Sequence, residues 1–212
     1  MTVLVKICGI TEPRALNAAL DAGADFIGLV FFPPSPRHVE LDEAACLAGA
    51  ARGRARIVAL TVDAGDDLLC AISEKVRPDL LQLHGKETPR RMDEISKIME
   101  IPLIKAFRVR DEEDIEAAGA YEDHMTFPLF DAWVDAKKSQ GLPGGAGHVF
   151  DWSLLRGFNR PFMLAGGLTP QNVAEAIRRT TAPMVDVSSG VESSRGVKDT
   201  KKIRAFIRAA KG

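Results

Sequence analysis

Short apolar runs and segments of helical spacing take turns along the whole chain. VLVKIC, DFIGLVF, RIVALTV, DLLQLHG, PLIKAFRV, MTFPLFDA, PFMLAGG and MVDVSSG read as strands. Between and after them come EPRALNAALDAG with a stop at Gly23, LDEAACLAGAAR, DDLLCAISEKV, PRRMDEISKIM, EEDIEAAGA, DWSLLRG, PQNVAEAIRRT and KDTKKIRAFIRAA. These carry apolar residues three and four apart, the spacing of one helix face. The strand runs are apolar almost without alternation, as expected where both faces of a sheet are covered. Eight strand-then-helix units predict an α/β fold, a single (β/α)8 barrel over residues 1–212, rather than an open sheet. An open dinucleotide-binding sheet would carry G-x-G-x-x-G after its first strand, and ICGITEP does not match. The helix after Ala165-Gly166-Gly167 is expected to start with Thr169 as N-cap and Pro170 at its first position. DAKKSQGLPGGAGHV is the longest polar, glycine-rich stretch and is expected to be an active-site loop.

Composition narrows the function. The formal net charge of -1 gives no overall field for nucleic acid or an anionic membrane, so neither is expected as a partner. Cys8, Cys46 and Cys70 are odd in number and far apart, which argues against a disulfide framework or a cysteine zinc site. Lys6 breaks the first apolar run, no cleavage pattern follows it, and no stretch is long enough to span a bilayer. A cytoplasmic location is expected.

In such a barrel the chemistry gathers at the C-terminal strand ends. Gly166-Gly167 before a helix and Ser188-Ser189-Gly190 after the last strand offer backbone amides to a dianion. Each pair alone would serve as a tight turn; together, at strands seven and eight, they point to a phosphorylated small molecule. Cys8 and Asp131 end strands one and six, and a base and an acid across one cavity would suit proton transfer. On residue type alone, a lone cysteine is more often buried filler and an aspartate more often a cap or ion-pair partner. Arg37, in the proline-fixed loop FFPPSPRHV, suits bidentate capture of a carboxylate, or is simply a solvated loop arginine. His84 could be a ligand, a base or a wall; no partner stands at a metal-ligand spacing, so no metal is expected.

Taken in order, KICGIT, FFPPSPRHV, LQLHG, LFDA, GGAG before FDW, LAGGLTPQNV and DVSSGVE with a later KD resemble the phosphoribosylanthranilate isomerase family, over nearly the whole chain. The resemblance implies an Amadori rearrangement without cofactor or metal. It makes Asp131 the general acid and Cys8, as thiolate, the general base, with Gly9 letting the substrate close. By the same likeness Arg37 holds the anthranilate carboxylate and His84 lines that end. The backbone at Gly144, Gly145, Gly147, Gly166, Gly167, Ser188, Ser189 and Gly190 holds the phosphate, and Asp186 is a further polar wall. A monomer is expected in preference to an obligate oligomer.

Two departures stand out. Ala146 and His148 replace a hydroxyl residue and a lysine frequent in the family's glycine-rich loop. Ser194-Arg195-Gly196 lacks a proline common there, a change expected to touch the loop after strand eight and not the chemistry. Three rivals remain at this level. The related sugar-phosphate isomerase of histidine biosynthesis would carry an aspartate where Cys8 stands. A ribulose-phosphate epimerase would need metal ligands. A non-catalytic sugar-phosphate-binding barrel is not excluded by fold, because fold does not fix function.

Overall fold

The computed structural model describes residues 2–133 and 150–212. Eight parallel strands close into a barrel in chain order: β1 (Leu4–Cys8), β2 (Phe26–Phe31), β3 (Arg56–Thr61), β4 (Leu80–Leu83), β5 (Leu103–Val109), β6 (Phe127–Ala132), β7 (Met163–Leu164) and β8 (Met184–Val187), with β8 pairing back onto β1. Around them lie α1 (Pro13–Asp21), α2 (Leu41–Ala51), α3 (Asp66–Lys75), α4 (Pro89–Met99), α5 (Glu112–Glu116), α6 (Val173–Thr180) and α7 (Thr200–Lys211).

The unbroken apolar strands resolve into two sets of period two. Phe26, Val58, Leu80, Ile104, Ala106, Phe127, Leu129, Met163, Ala165 and Met184 form one cluster. Their strand neighbours Ile27, Ile57, Leu81, Leu103, Phe130, Leu164 and Val185 belong to the cluster that includes the helix faces. The first set fills the barrel, and the second packs beneath the helices.

Local chemistry sets several helix starts. Pro89 opens α4 behind Thr88, whose hydroxyl accepts from the Arg91 amide at 3.2 Å. Asp199 caps α7 by accepting from the amides of Lys201 and Lys202. The start of α6 differs from expectation. Thr169 to Asn172 form a turn in which the Asn172 side chain accepts from the Thr169 amide at 2.7 Å, so the helix begins at Val173 behind Asn172. DWSLLRG makes only a short 3-10 helix, Trp152–Leu155. After β8 the chain adds a hairpin, β9 (Glu192–Ser194) with β10 (Val197–Lys198), which the sequence pattern does not announce.

Candidate active site

A cavity opens at the C-terminal ends of the strands. Cys8, Arg37, His84, Asp131, Gly166, Gly167, Asp186, Ser188, Ser189 and Gly190 all line it. The structure therefore gathers every described site candidate into one place. Gly144, Gly145 and Gly147, with Ala146 and His148, lie outside the described residues. No three His, Cys, Asp or Glu side chains among the described residues are grouped as a metal site.

Cys8 stands at the end of β1, 4% exposed. Two positions earlier on the same inward face is Lys6, fully buried, with its Nζ 3.0 Å from Asp186 Oδ1 on β8. Burial alone would strip the Lys6 charge; Asp186 and Cys8 outweigh it and hold the ammonium above the usual lysine value. Burial pushes the Cys8 thiol up. The Lys6 ammonium opposes that rise, Asp186 adds to it, and Lys198 opposes it again. Gly28 on β2 faces Cys8 in register. A Cβ there would stand 2.9 Å from Cys8 Sγ and 3.2 Å from Lys6 Cε, so only glycine leaves room for both.

Asp131 is the next-to-last residue of β6, 6% exposed. His84 Nε2 lies 3.4 Å from Asp131 Oδ2, and His84 Nδ1 lies 3.0 Å from the Gln82 amide nitrogen. With that amide donating, the imidazole proton sits on Nε2, facing the carboxylate. His84 is thus a neighbour of Asp131 as well as a wall of the cavity.

Arg37 is held rather than loose. Its Nε and Nη2 donate to the two oxygens of Glu192 at 2.7 and 2.9 Å. Lys198 Nζ donates to the same carboxylate at 2.8 Å and to the carbonyl and hydroxyl of Ser188, whose hydroxyl donates to the Cys8 carbonyl at 3.1 Å. Burial works against the Glu192 charge, yet the hydrogen bonds from Arg37 and the Lys198 ammonium bring its pKa down to about 2. Burial lowers the pKa of Lys198, although Glu192 resists. Of the five guanidinium N–H groups of Arg37, the two on Nη1 and one on Nη2 are left for another acceptor. The post-β8 hairpin supplies both Glu192 and Lys198. Gly9 adopts φ 75°. A Cβ there would fall 2.7 Å from Arg37 Cδ, so the glycine makes room for the arginine stem.

At the far rim Gly166 and Gly167 both adopt positive φ, and their amides donate to no protein acceptor among the described residues. A Cβ on Gly166 would collide with the Ala132 backbone, and one on Gly190 with the Leu168 carbonyl. These two turns pack so tightly that they present backbone, not side chain, to the cavity. Sequence reasoning missed Lys6, Gly28, Glu192 and Lys198. A lysine inside an otherwise apolar strand was the available signal for the first.

Residues 5–209 match the family model described as N-(5'phosphoribosyl)anthranilate (PRA) isomerase. An N-(5'-phosphoribosyl)anthranilate isomerase of Rhodopseudomonas palustris (strain BisA53) is 54% identical over 213 residues, covering 100% of this chain and 97% of that protein. The chain superposes with a TM-score of 0.86, at 33% identity and 99% coverage of both chains, on a phosphoribosyl anthranilate isomerase in complex with reduced 1-(o-carboxyphenylamino)-1-deoxyribulose 5-phosphate. Monomers obtained from the dimeric isomerase of Thermotoga maritima give 0.85, again at 33% identity and 99% coverage of both. On the strength of that match along nearly its full length, the chain belongs to the N-(5'-phosphoribosyl)anthranilate isomerase family.

Proposed function

We propose that this chain converts N-(5'-phosphoribosyl)anthranilate to 1-(2-carboxyphenylamino)-1-deoxyribulose 5-phosphate in tryptophan biosynthesis, with Asp131 as general acid and Cys8 as general base. The supporting observation is that a buried thiol and a buried carboxyl face one cavity, with an arginine on its wall and two glycine turns on its rim.

Asp131 gives its proton to the furanose ring oxygen. The C1'–O bond breaks, and the anilino nitrogen supplies the electron pair that forms the C=N bond of a Schiff base. The Cys8 thiolate takes the C2' proton, and the released pair forms the enolamine as the iminium nitrogen recovers its electrons. Tautomerisation then gives the aminoketone. The iminium is an electron sink, so a modest base suffices. Arg37 takes the anthranilate carboxylate on its Nη1 and Nη2 donors while Glu192 holds its other edge. His84 lines that end and backs Asp131. The amides of Gly166-Gly167, which have no acceptor among the described residues, receive the phosphate with Ser188, Ser189 and Gly190, joined by Gly144, Gly145 and Gly147; Asp186 is a polar wall that acts through Lys6.

We take residues 1–212 as one barrel domain acting as a monomer in the cytoplasm. The three unpaired cysteines fit a reducing compartment. Among the described residues no helix is long and apolar enough to cross a membrane. The test of function is turnover of phosphoribosylanthranilate made in situ, followed by loss of its fluorescence. Wild type should turn over, while Cys8→Ala and Asp131→Asn should each lose about 10²–10⁴-fold in kcat with folding intact. A folded wild type that leaves the substrate untouched overturns the proposal.

A further inference from the structure

Lys6 is a fully buried cation on the inward face of β1, and its surroundings are unusual for a charge. The residues in register with it are Phe26 on β2 and Asp186 on β8. Two groups answer the charge: Asp186, through a 3.0 Å contact to Oδ1, and Cys8. Taking a lysine out of water into an apolar barrel carries a desolvation penalty that these two partners offset. A hydrocarbon pair would fill the space without that penalty, so the placement calls for a reason beyond packing.

The geometry supplies one. Lys6 and Cys8 project from the same face of β1 one layer apart. The bare Gly28 opposite them opens a slot that Cys8 Sγ and Lys6 Cε share, each about 3 Å from one point in space. Two side chains that meet the same point lie close to one another. Charged groups reach Cys8 from three sides: Lys6 on its own strand, Asp186 from β8 and Lys198 from the hairpin. β2 brings no charge there, only Gly28 and the apolar Val30. Arg37, His84 and Asp131 stand elsewhere around the cavity. Lys198 is already spent on Glu192 and Ser188.

We propose that Lys6 is a positioning residue for the reaction, its buried ammonium stabilising the thiolate of Cys8, with Asp186 setting how far that ammonium reaches. The proposal rests on Cys8 as the base. Asp186 keeps the ammonium charged within the barrel but adds a second anion near the sulfur. The two substitutions therefore act on the thiol in opposite directions. Removing the lysine charge leaves the sulfur with burial and a carboxylate, and the thiolate becomes harder to form. Removing the carboxylate charge leaves the ammonium undivided, and the thiolate forms more readily. A pair present only to fill the barrel would give two variants with the same behaviour.

The experiment reads the thiol directly. In a Cys46→Ser/Cys70→Ser background, the rate of Cys8 alkylation by iodoacetamide is followed against pH in the substrate-free protein. Turnover is recorded in parallel. Lys6→Met should move the alkylation profile to higher pH by about one unit or more, the usual reach of an opposite charge at close range. Asp186→Asn should move it to lower pH, and serves alone if Lys6→Met does not fold. The kcat/KM profile of Lys6→Met should follow the alkylation shift. Unchanged profiles, or a shift of both variants in one direction, overturn the role of Lys6. Full activity in Cys8→Ala, whatever the alkylation profiles show, would instead remove Cys8 as the base.

Discussion

Glu192 grips Arg37, which lines the cavity, by the Nε edge of the guanidinium, 2.7 Å from Nε and 2.9 Å from Nη2, and leaves the terminal edge uncovered by that carboxylate. A flexible side chain is thereby fixed before any ligand arrives, which lowers the ordering cost of binding. Replacing Glu192 by Gln should raise KM for the anthranilate substrate about tenfold while kcat falls much less, since a tenfold change is about 1.4 kcal/mol of binding. Steady-state kinetics on the purified variant decide it, and an effect on kcat alone would count against this role.

The same carboxylate makes stability depend on acid. Its pKa is about 2 in the fold against 4.5 ordinarily, so the folded state favours the charged form. That contribution is complete above the ordinary value and is lost as pH falls from there toward 2. It amounts to about 3 kcal/mol. Urea unfolding of wild type should weaken across this window, and Glu192→Gln should be less stable at neutral pH but flatter in acid.

Gly28→Ala should disturb β1 from the neighbouring strand. The new methyl would press on Cys8 Sγ and Lys6 Cε, and such overpacking costs about 1–3 kcal/mol. Activity should fall with it. Gly49→Ala, on an open face of α2 with nothing within 4 Å of the added Cβ, should instead gain about 0.5–1 kcal/mol. Thermal melts of the two variants should move in opposite directions.

Gly190→Ala tests the anion end. Its Cβ would strike the Leu168 carbonyl, so the two turns must move apart. We expect KM to rise by about tenfold or more, with inorganic phosphate losing strength as a competitive inhibitor in parallel. Retention of both values would separate these turns from the phosphate.

The barrel was legible because each strand-to-helix unit announces itself locally, from VLVKIC through MVDVSSG. Cys8, Asp131, Arg37 and the glycine turns were legible because they sit at strand ends, where position alone is suggestive. Lys6 was not, since a lysine in a strand says nothing of the aspartate that meets it 180 residues later. Glu192 was hidden similarly: the hairpin that carries it is two short strands with a bulge, too brief to leave a hydrophobic period. Thr169 and Pro170 form a good cap signature on paper, but the Asn172 side chain closes its own turn and delays the helix. Pairings across the closure depend on the whole chain, and no window of neighbouring residues contains them.

That closure has a consequence for how the protein comes into being. The contacts that complete the site join the first forty residues to the last thirty: Lys6 to Asp186, and Arg37 to Glu192. A nascent chain that has emerged only through β7 already carries Cys8 and Asp131, yet its buried lysine has no counter-charge and its arginine no anchor. The groups proposed for proton transfer and for binding therefore become competent together, when the last strand zips onto the first. Synthesis order makes activity a report on complete folding, and a truncated or stalled barrel should be catalytically silent.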